Sequence, residues 1–469
     1  MGPEALTRGQ VAALFGGAAC LALPFADLSL ASHDPWGTLA RMGAGFLHPD
    51  FGAVEGIGRA TALTVAFAVA GVAAGGAAGL LLAPFQGIRP VRGLCVALRS
   101  IHELVWALLL LQVTGIGPLT GVLAIALPYA GIFAKVFAEI LEDADQRPSQ
   151  VLPPGVDALS RFLYARAPLA LPAMWSYALY RVECGMRSSA VLGFVGLPTL
   201  GYQLDTFFRQ GLYGAASAIL ICFVVLIATM RLWMRPRLAL PWAAASCVVL
   251  ALLAHPPMGD GALLRFLSDV VPAPLREGGG PGDLLAWLRP LLRDQVLPGL
   301  GATLVAAQVA LAVTGLVAVA TSGVAVPGVT GRAGSLAGHL LLVTLRSLPE
   351  VMLAYLFLQA LGPSMLPAIL ALGLHNGAIV GHLLGRQGEA ISATLGLGGS
   401  RGLTLWGWEL APRLFEGGFH HVIDFGVGHA LRQVIGLGGS RQVESNLEID
   451  EKALAQRCLL GQNAVETIE

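Results

Sequence analysis

Few ionisable residues stand inside apolar sequence, and each has a type and spacing that could do something a lipid-facing residue cannot. Glu103 and Glu350 each follow an Arg-Ser pair, Arg99-Ser100 and Arg346-Ser347, at the head of an apolar run. A carboxylate within the hydrocarbon is costly and faces a cavity or a partner. At the interface it would instead cap its helix and pair with the arginine four residues earlier. Both readings stand. Arg181, Glu183 and Arg187 fall along another apolar stretch. Two buried guanidinium groups there would attract an oxyanion, whose geometry their planar forks match. Glu183 and Arg187, at i,i+4, would equally neutralise each other. Arg181 and Glu183 are too near in sequence to share a helix face. Glu139, Glu142 and Asp143 close a third apolar run and open a polar loop.

Covalent chemistry finds no support. Glycine is nowhere followed by lysine, so the chain has no Walker A phosphate loop, and no strand-like run precedes the Gly-rich GVAAGGAAG. That run reads as a packing face. The cysteines Cys20, Cys95, Cys184, Cys222, Cys247 and Cys458 are scattered without CxxC or metal spacing, which supports neither a disulfide framework nor a zinc site. His420, His421 and His429 read as a polar loop, so no metal and no cofactor are expected. A membrane-embedded enzyme would need clustered ligands or a nucleophile with its base on facing helices, and none appears. The chain is expected not to be an enzyme.

The elements that position these residues follow from composition. Of 469 residues 55% are hydrophobic and 12% charged, and mean hydropathy is +0.71. Soluble domains carry about 25% charged residues, so the fold class is all-α, a polytopic transmembrane bundle. Net charge is zero, which argues against a nucleic-acid partner. Stretches of about 20 apolar residues cross the bilayer. They lie near 11–30 (a retained first helix), 57–84, 101–113, 119–138, 173–192 and 214–230, then 238–254, 296–323, 336–358 and 366–384. Arginines set the orientation. With the N-terminus and Arg8 inside, Arg89, Arg92, Arg99, Arg147, Arg161, Arg166, Arg231, Arg235 and Arg237 all fall inside, and Asp34, Asp50, Glu55 and Asp205 outside. The 139–172 loop is then cytoplasmic, the polar segment 255–293 is outside, and Arg386, Arg401 and Arg413 mark a second inside loop. Lys135 reads as a snorkelling residue just before the first loop.

The pattern repeats in parallel orientation. Leu98-Arg99-Ser100 with Glu103 matches Leu345-Arg346-Ser347 with Glu350, both runs continue to Gln112 or Gln359, and both close on Pro118 or Pro363. Gly71 ends AFAVAG as Gly315 ends a similar run, and Trp36 precedes the first copy as Trp287 precedes the second. A first unit of about six spans over 1–237, a second of four to five over 238–439, and a polar tail 440–469 are expected. The second copy decays after Leu384. It keeps Gly402 but loses the acidic opening, with Arg386 where Glu139 would stand, and 418–439 is too polar for a clear span.

Arg99 through Gly196 resembles the permease subunits of ATP-binding-cassette importers of the phosphonate/phosphite type. RSIHELVWALLLL, GIGPLTGVLAIAL, AKVFAEILED and YRVECGMRSSAVLGFVG carry the resemblance. It implies a type I importer fold, two permease units fused in one chain, and a bacterial inner membrane. Expected partners are ATP-binding-cassette ATPase subunits, a periplasmic solute-binding protein and the lipid bilayer. It implies that Glu139, Glu142, Asp143, Gly155, Pro168 and Pro172, with Gly402 in the second copy, belong to loops that couple to the ATPases. Gly155 suits the turn the motif needs, and the prolines would break helices at defined points. Glu103, Glu350, Arg181, Glu183 and Arg187 are pathway or interface candidates. The implied cargo is a small oxyanion. The rivals are a secondary transporter with two parallel halves, against which the specialised loop counts, and a degenerate subunit that does not transport.

Overall fold

The computed structural model describes residues 8–144, 155–256 and 259–394. Apolar helix-forming runs punctuated by Gly and Pro make an all-helical membrane bundle. The first part contains α1 (Arg8–Ala22), α2 (Pro35–Leu47), α3 (Ile57–Leu82), α4 (Arg89–Ser100), α5 (Glu103–Thr114), α6 (Pro118–Asp143), α7 (Ala167–Val191), α8 (Leu200–Arg209) and α9 (Tyr213–Trp233). The second contains α10 (Ala239–Ala251), α11 (Ala262–Val270), α12 (Pro281–Pro290), α13 (Leu297–Ser322), α14 (Pro327–Ser347), α15 (Glu350–Leu361) and α16 (Leu366–Thr394).

Among the described residues five helices are long and apolar enough to cross a bilayer, and seven spans result if each of two bent pairs counts as one. The bent pairs are the repeated motif. α4 and α5 meet at 95°, and α14 and α15 at 91°. The expected spans 101–113 and 336–358 are therefore broken. Each limb of α4/α5 has 12 residues, about 18 Å at 1.5 Å per residue, too short for a core of about 30 Å. α7, expected to span, is 25 residues long but carries Arg181, Glu183 and Arg187, so its charge keeps it out of the apolar class. Residues 255–293, expected as a polar loop, hold α11 and α12, and α12 runs on into α13 as a continuous rod, Pro281–Ala325, of 45 residues.

Two helix pairs form matching cores. α3 crosses α6 with Gly71, Gly75 and Gly79 against Ile125, Tyr129 and Phe133; a Cβ on Gly75 would lie 2.8 Å from Tyr129 Cβ. α13 crosses α16 with the glycines on the other partner: Gly373, Gly377 and Gly381 face Val313, Val317 and Thr321. Small residues let backbones approach where no hydrophobic driving force separates protein from lipid. The first helices are exchanged. α1 packs on α13, where Gln308 Nε2 donates to the Phe15 carbonyl at 3.1 Å. α10 packs on α3.

Candidate translocation pathway

The break in each repeat follows from local sequence. Ile101 and Leu348 take extended backbone angles directly after Ser100 and Ser347. In the first copy the His102 ring accepts the Leu104 amide at 3.2 Å and caps α5. In the second copy Pro349 precedes α15 and bars helical continuation through Leu348. Glu103 and Glu350 thereby become the first residues of α5 and α15, where the helix dipole favours an acid. The break separates them from Arg99 and Arg346, so the i,i+4 pairing weighed from sequence is replaced. Glu103 lies 3.6 Å from His102 Nε2, and Glu350 lies 3.7 Å from His375 Nε2.

A helix break frees backbone carbonyls, which must find donors away from water. The first copy uses Trp106, whose Nε1 donates to Leu98 O at 3.2 Å. The second places His375, only 4% exposed, beside the carbonyls of Leu345 and Leu348. Leu98 and Leu345 are equivalent positions in the repeat; His375 approaches the latter, but its buried Nδ1 makes no hydrogen bond among the described residues. Both short limbs end on glycine: Gly115 at φ 67°, ψ −175° and Gly362 at φ 88°, ψ 177°, a region essentially closed to other residues.

α7 sets its charges against these breaks. Arg181 is enclosed by aromatic rings: Nε donates to Tyr177 Oη at 2.7 Å, and the guanidinium lies 5.0 and 5.5 Å from the Tyr177 and Tyr180 centroids. Tyr177 in turn meets Phe133 edge-on at 5.7 Å. Glu103 and Arg181 both lie within electrostatic reach of Tyr129 on α6. Arg187 is placed otherwise. It pairs with Glu183 at 3.3 Å, and its buried Nε has no hydrogen-bond partner among the described residues. Glu350 and His375 both lie within its electrostatic reach. The structure thus joins α7 of the first repeat to α15 and α16 of the second through Glu183, Arg187, Glu350 and His375. Sequence reasoning missed His375, Tyr129, Tyr177 and Tyr180; His375, one of two histidines in the apolar 366–384 run, was the available signal.

α8 also joins the repeats. Tyr355 of α15 packs between Phe194 at 5.1 Å and Phe208 at 6.4 Å, and accepts from Gln359 at 2.8 Å. The first turn of α8 needs Gly201, because a Cβ there would collide with the Ala190 carbonyl.

The expected coupling residues fall on three elements. Glu139, Glu142 and Asp143 lie on the last turns of α6, which outruns the hydrophobic stretch; Lys135 Nζ and Glu139 Oε1 are 3.3 Å apart. Gly155 takes φ 106°. Asp157 then caps a short turn by accepting Ser160 N at 2.9 Å. Pro168 stands in the first turn of α7, where its missing N–H costs nothing. Pro172 lies inside α7, which continues through it, so it ends no element. Gly402, His420, His421, His429 and 418–439 lie outside the described residues.

Among the described residues no group of three or more His, Cys, Asp or Glu could hold a metal ion. The charges of α7, α15 and α16 lie within reach of one another.

Known proteins carry a matching pattern. The phosphite transport system permease protein PtxC of Stutzerimonas stutzeri is 30% identical over 233 residues, covering 47% of this chain and 84% of its own length. The chain belongs to the phosphonate/phosphite-type permease family of ATP-binding-cassette importers. The phosphate-import permease protein PhnE of Mycolicibacterium smegmatis is 29% identical over 330 residues, 66% of this chain and 60% of that one. HtxE of Stutzerimonas stutzeri is 36% identical over 137 residues, 29% of this chain and 52% of that one. The chain thus spans between half and three fifths of the length of these last two relatives. No family model and no solved structure matches it. It is a multi-pass membrane protein.

Proposed function

We propose that the chain is the membrane-spanning permease of an ATP-driven importer that moves a small phosphonate- or phosphite-like oxyanion. A periplasmic binding protein delivers the cargo outside, and separate ATPase subunits hydrolyse ATP and move the loops inside. In this reading 1–237 and 238–439 are two fused permease units, the N-terminus is cytoplasmic in a bacterial inner membrane, and 139–172 couples the first unit to its ATPase. The chain makes and breaks no covalent bond. Alternating access switches the opening between the two faces as the helices around the polar centre rearrange.

The observation that carries the reading is the paired break. Glu103 and Glu350 head two short limbs that flank an arginine-bearing helix, and Arg187 offers an unpartnered Nε between the repeats. A guanidinium in that place meets an oxyanion through charge-assisted hydrogen bonds. Glu183 and Glu350 keep that charge balanced when no anion is there.

Uptake of labelled methylphosphonate, phosphite and phosphate by cells expressing the chain with its neighbouring genes tests the cargo. Uptake of at least one is expected to depend on this chain, and uptake of none overturns the oxyanion reading. Co-purification of an ATPase subunit, repeated after deletion of 139–166, tests coupling. The expected result is loss of association; unchanged association refutes it.

A further inference from the structure

A constant step of 247 residues relates α4–α6 to α14–α16: Arg99, Glu103 and Gly115 become Arg346, Glu350 and Gly362. The same step sets Arg92 against His339, Lys135 against His382, and Glu139 against Arg386. In the first repeat Lys135 and Glu139 form an ion pair at 3.3 Å. In the second, His382 and Arg386 occupy those i,i+4 positions, and a base replaces the acid. Among the described side chains, those that act on His382 are all basic. The rings of His339 and His382 meet edge-on, centroids 5.3 Å apart and planes at 78°. Arg346, His339 and Arg386 all act electrostatically on the His382 ring.

Helix periodicity brings the four together. Seven residues from His339 to Arg346 make two turns on one face of α14, and four from His382 to Arg386 make one turn on one face of α16. Among the described residues no carboxylate pairs with any of the four. His382 Nδ1 is buried without a hydrogen-bond partner among them. Like charges held together repel, and a bound anion offsets that repulsion while satisfying the free donors. The cluster lies where the apolar span Leu366–Arg386 ends, a depth shared by lipid headgroups and the mouth of a pathway.

We propose that His339, Arg346, His382 and Arg386 form a binding site for one phosphate-type oxyanion, either a lipid phosphodiester headgroup or a free phosphate. Arginine forks engage such oxygens two at a time, and imidazole N–H groups complete the shell. The site stands apart from Arg187 and does not rest on the import reading.

The test follows thermal unfolding of the delipidated full chain in uncharged detergent. One arm adds inorganic phosphate against chloride at matched ionic strength; the other adds phosphatidylglycerol against phosphatidylcholine. The comparison variant combines His382→Lys with Arg386→Glu, which writes the first repeat's ion pair into the second. The wild-type melting temperature is expected to rise in at least one arm, phosphate identifying a free oxyanion and phosphatidylglycerol a headgroup. The double variant is expected to lose the rise. Arg386→Gln serves as a second variant if the first fails to fold, and its apparent affinity is expected to be at least tenfold weaker. A wild-type chain that responds in neither arm, or a folded variant that responds like wild type, overturns the site.

Discussion

Tyr177→Phe and Arg187→Gln are expected to give different phenotypes, although both touch an arginine of α7. Tyr177 accepts from Arg181 at 2.7 Å and holds it in an aromatic enclosure. Losing that hydroxyl removes one charged hydrogen bond, about 1.5–3 kcal/mol. The expected result is a lower melting temperature with uptake per folded molecule nearly unchanged. Arg187 serves Glu183 at 3.3 Å and lies in reach of Glu350 and His375. Arg187→Gln leaves acids on two repeats without their shared cation, so uptake normalised to membrane-inserted protein is expected to fall at least about tenfold, equivalent to about 1.4 kcal/mol. Arg187→Lys is expected to restore part of it, since a point charge replaces the fork. Equal loss of uptake in Tyr177→Phe and Arg187→Gln would show that the two arginines share one role.

At the scale of elements, glycine substitutions separate close packing from backbone angle. Gly75→Ala places a Cβ 2.8 Å from Tyr129 Cβ and 2.9 Å from Ala126 O, so α3 and α6 must part. A cost of about 1–3 kcal/mol is expected. Gly76→Ala meets nothing nearer than the Phe133 ring at 3.6 Å and is expected to stay within about 0.5 kcal/mol. Denaturation in detergent compares the two. Gly362→Ala combines a forbidden φ of 88° with Ala31 and Ser32 under 3.0 Å away, whereas Gly115 at 67° meets only Pro256, at 3.2 Å. Both are expected to destabilise through strain of about 1–3 kcal/mol, Gly362→Ala the more.

Most of these elements were legible in the chain. Long apolar runs mark α3, α6, α9, α13 and α16, because a bilayer imposes a minimum length that composition displays. The break was less legible. α4 carries Arg89, Arg92 and Arg99 and reads as loop, while α5 alone reads as a short span; only Pro349 announces a stop. α6 was cut short at Glu139 because charge ends an apolar run without ending a helix. The candidate site was half visible. Glu183 and Arg187 share a face by spacing, but the approach of His375 depends on how the second repeat packs on the first, which no local pattern encodes.

At the scale of the whole molecule, the exchange of first helices ties the repeats together. α1 lies on α13 and α10 lies on α3, with Ser32 N donating to Leu361 O at 3.0 Å and Met365 N to Asp27 O at 3.0 Å. Residues 1–237 and 238–469 expressed as separate chains are therefore expected to associate in the membrane and to co-purify. Either piece alone leaves an apolar helix face uncovered and is expected to be degraded or to aggregate. Recovery of 1–237 alone as a stable, monodisperse species would show that the exchange contributes little.

The right-angled breaks also have a mechanical meaning. Each limb beyond a break, α5 or α15, has 12 residues and is a rigid arm about 18 Å long at 1.5 Å per residue. Swinging such an arm by about 10° carries its tip roughly 3 Å, and two arms swinging oppositely widen the gap between their tips by roughly 6 Å. Two residues per repeat at the elbow, Ile101-His102 and Leu348-Pro349, thus have the leverage to turn a small rotation into a displacement of several ångströms.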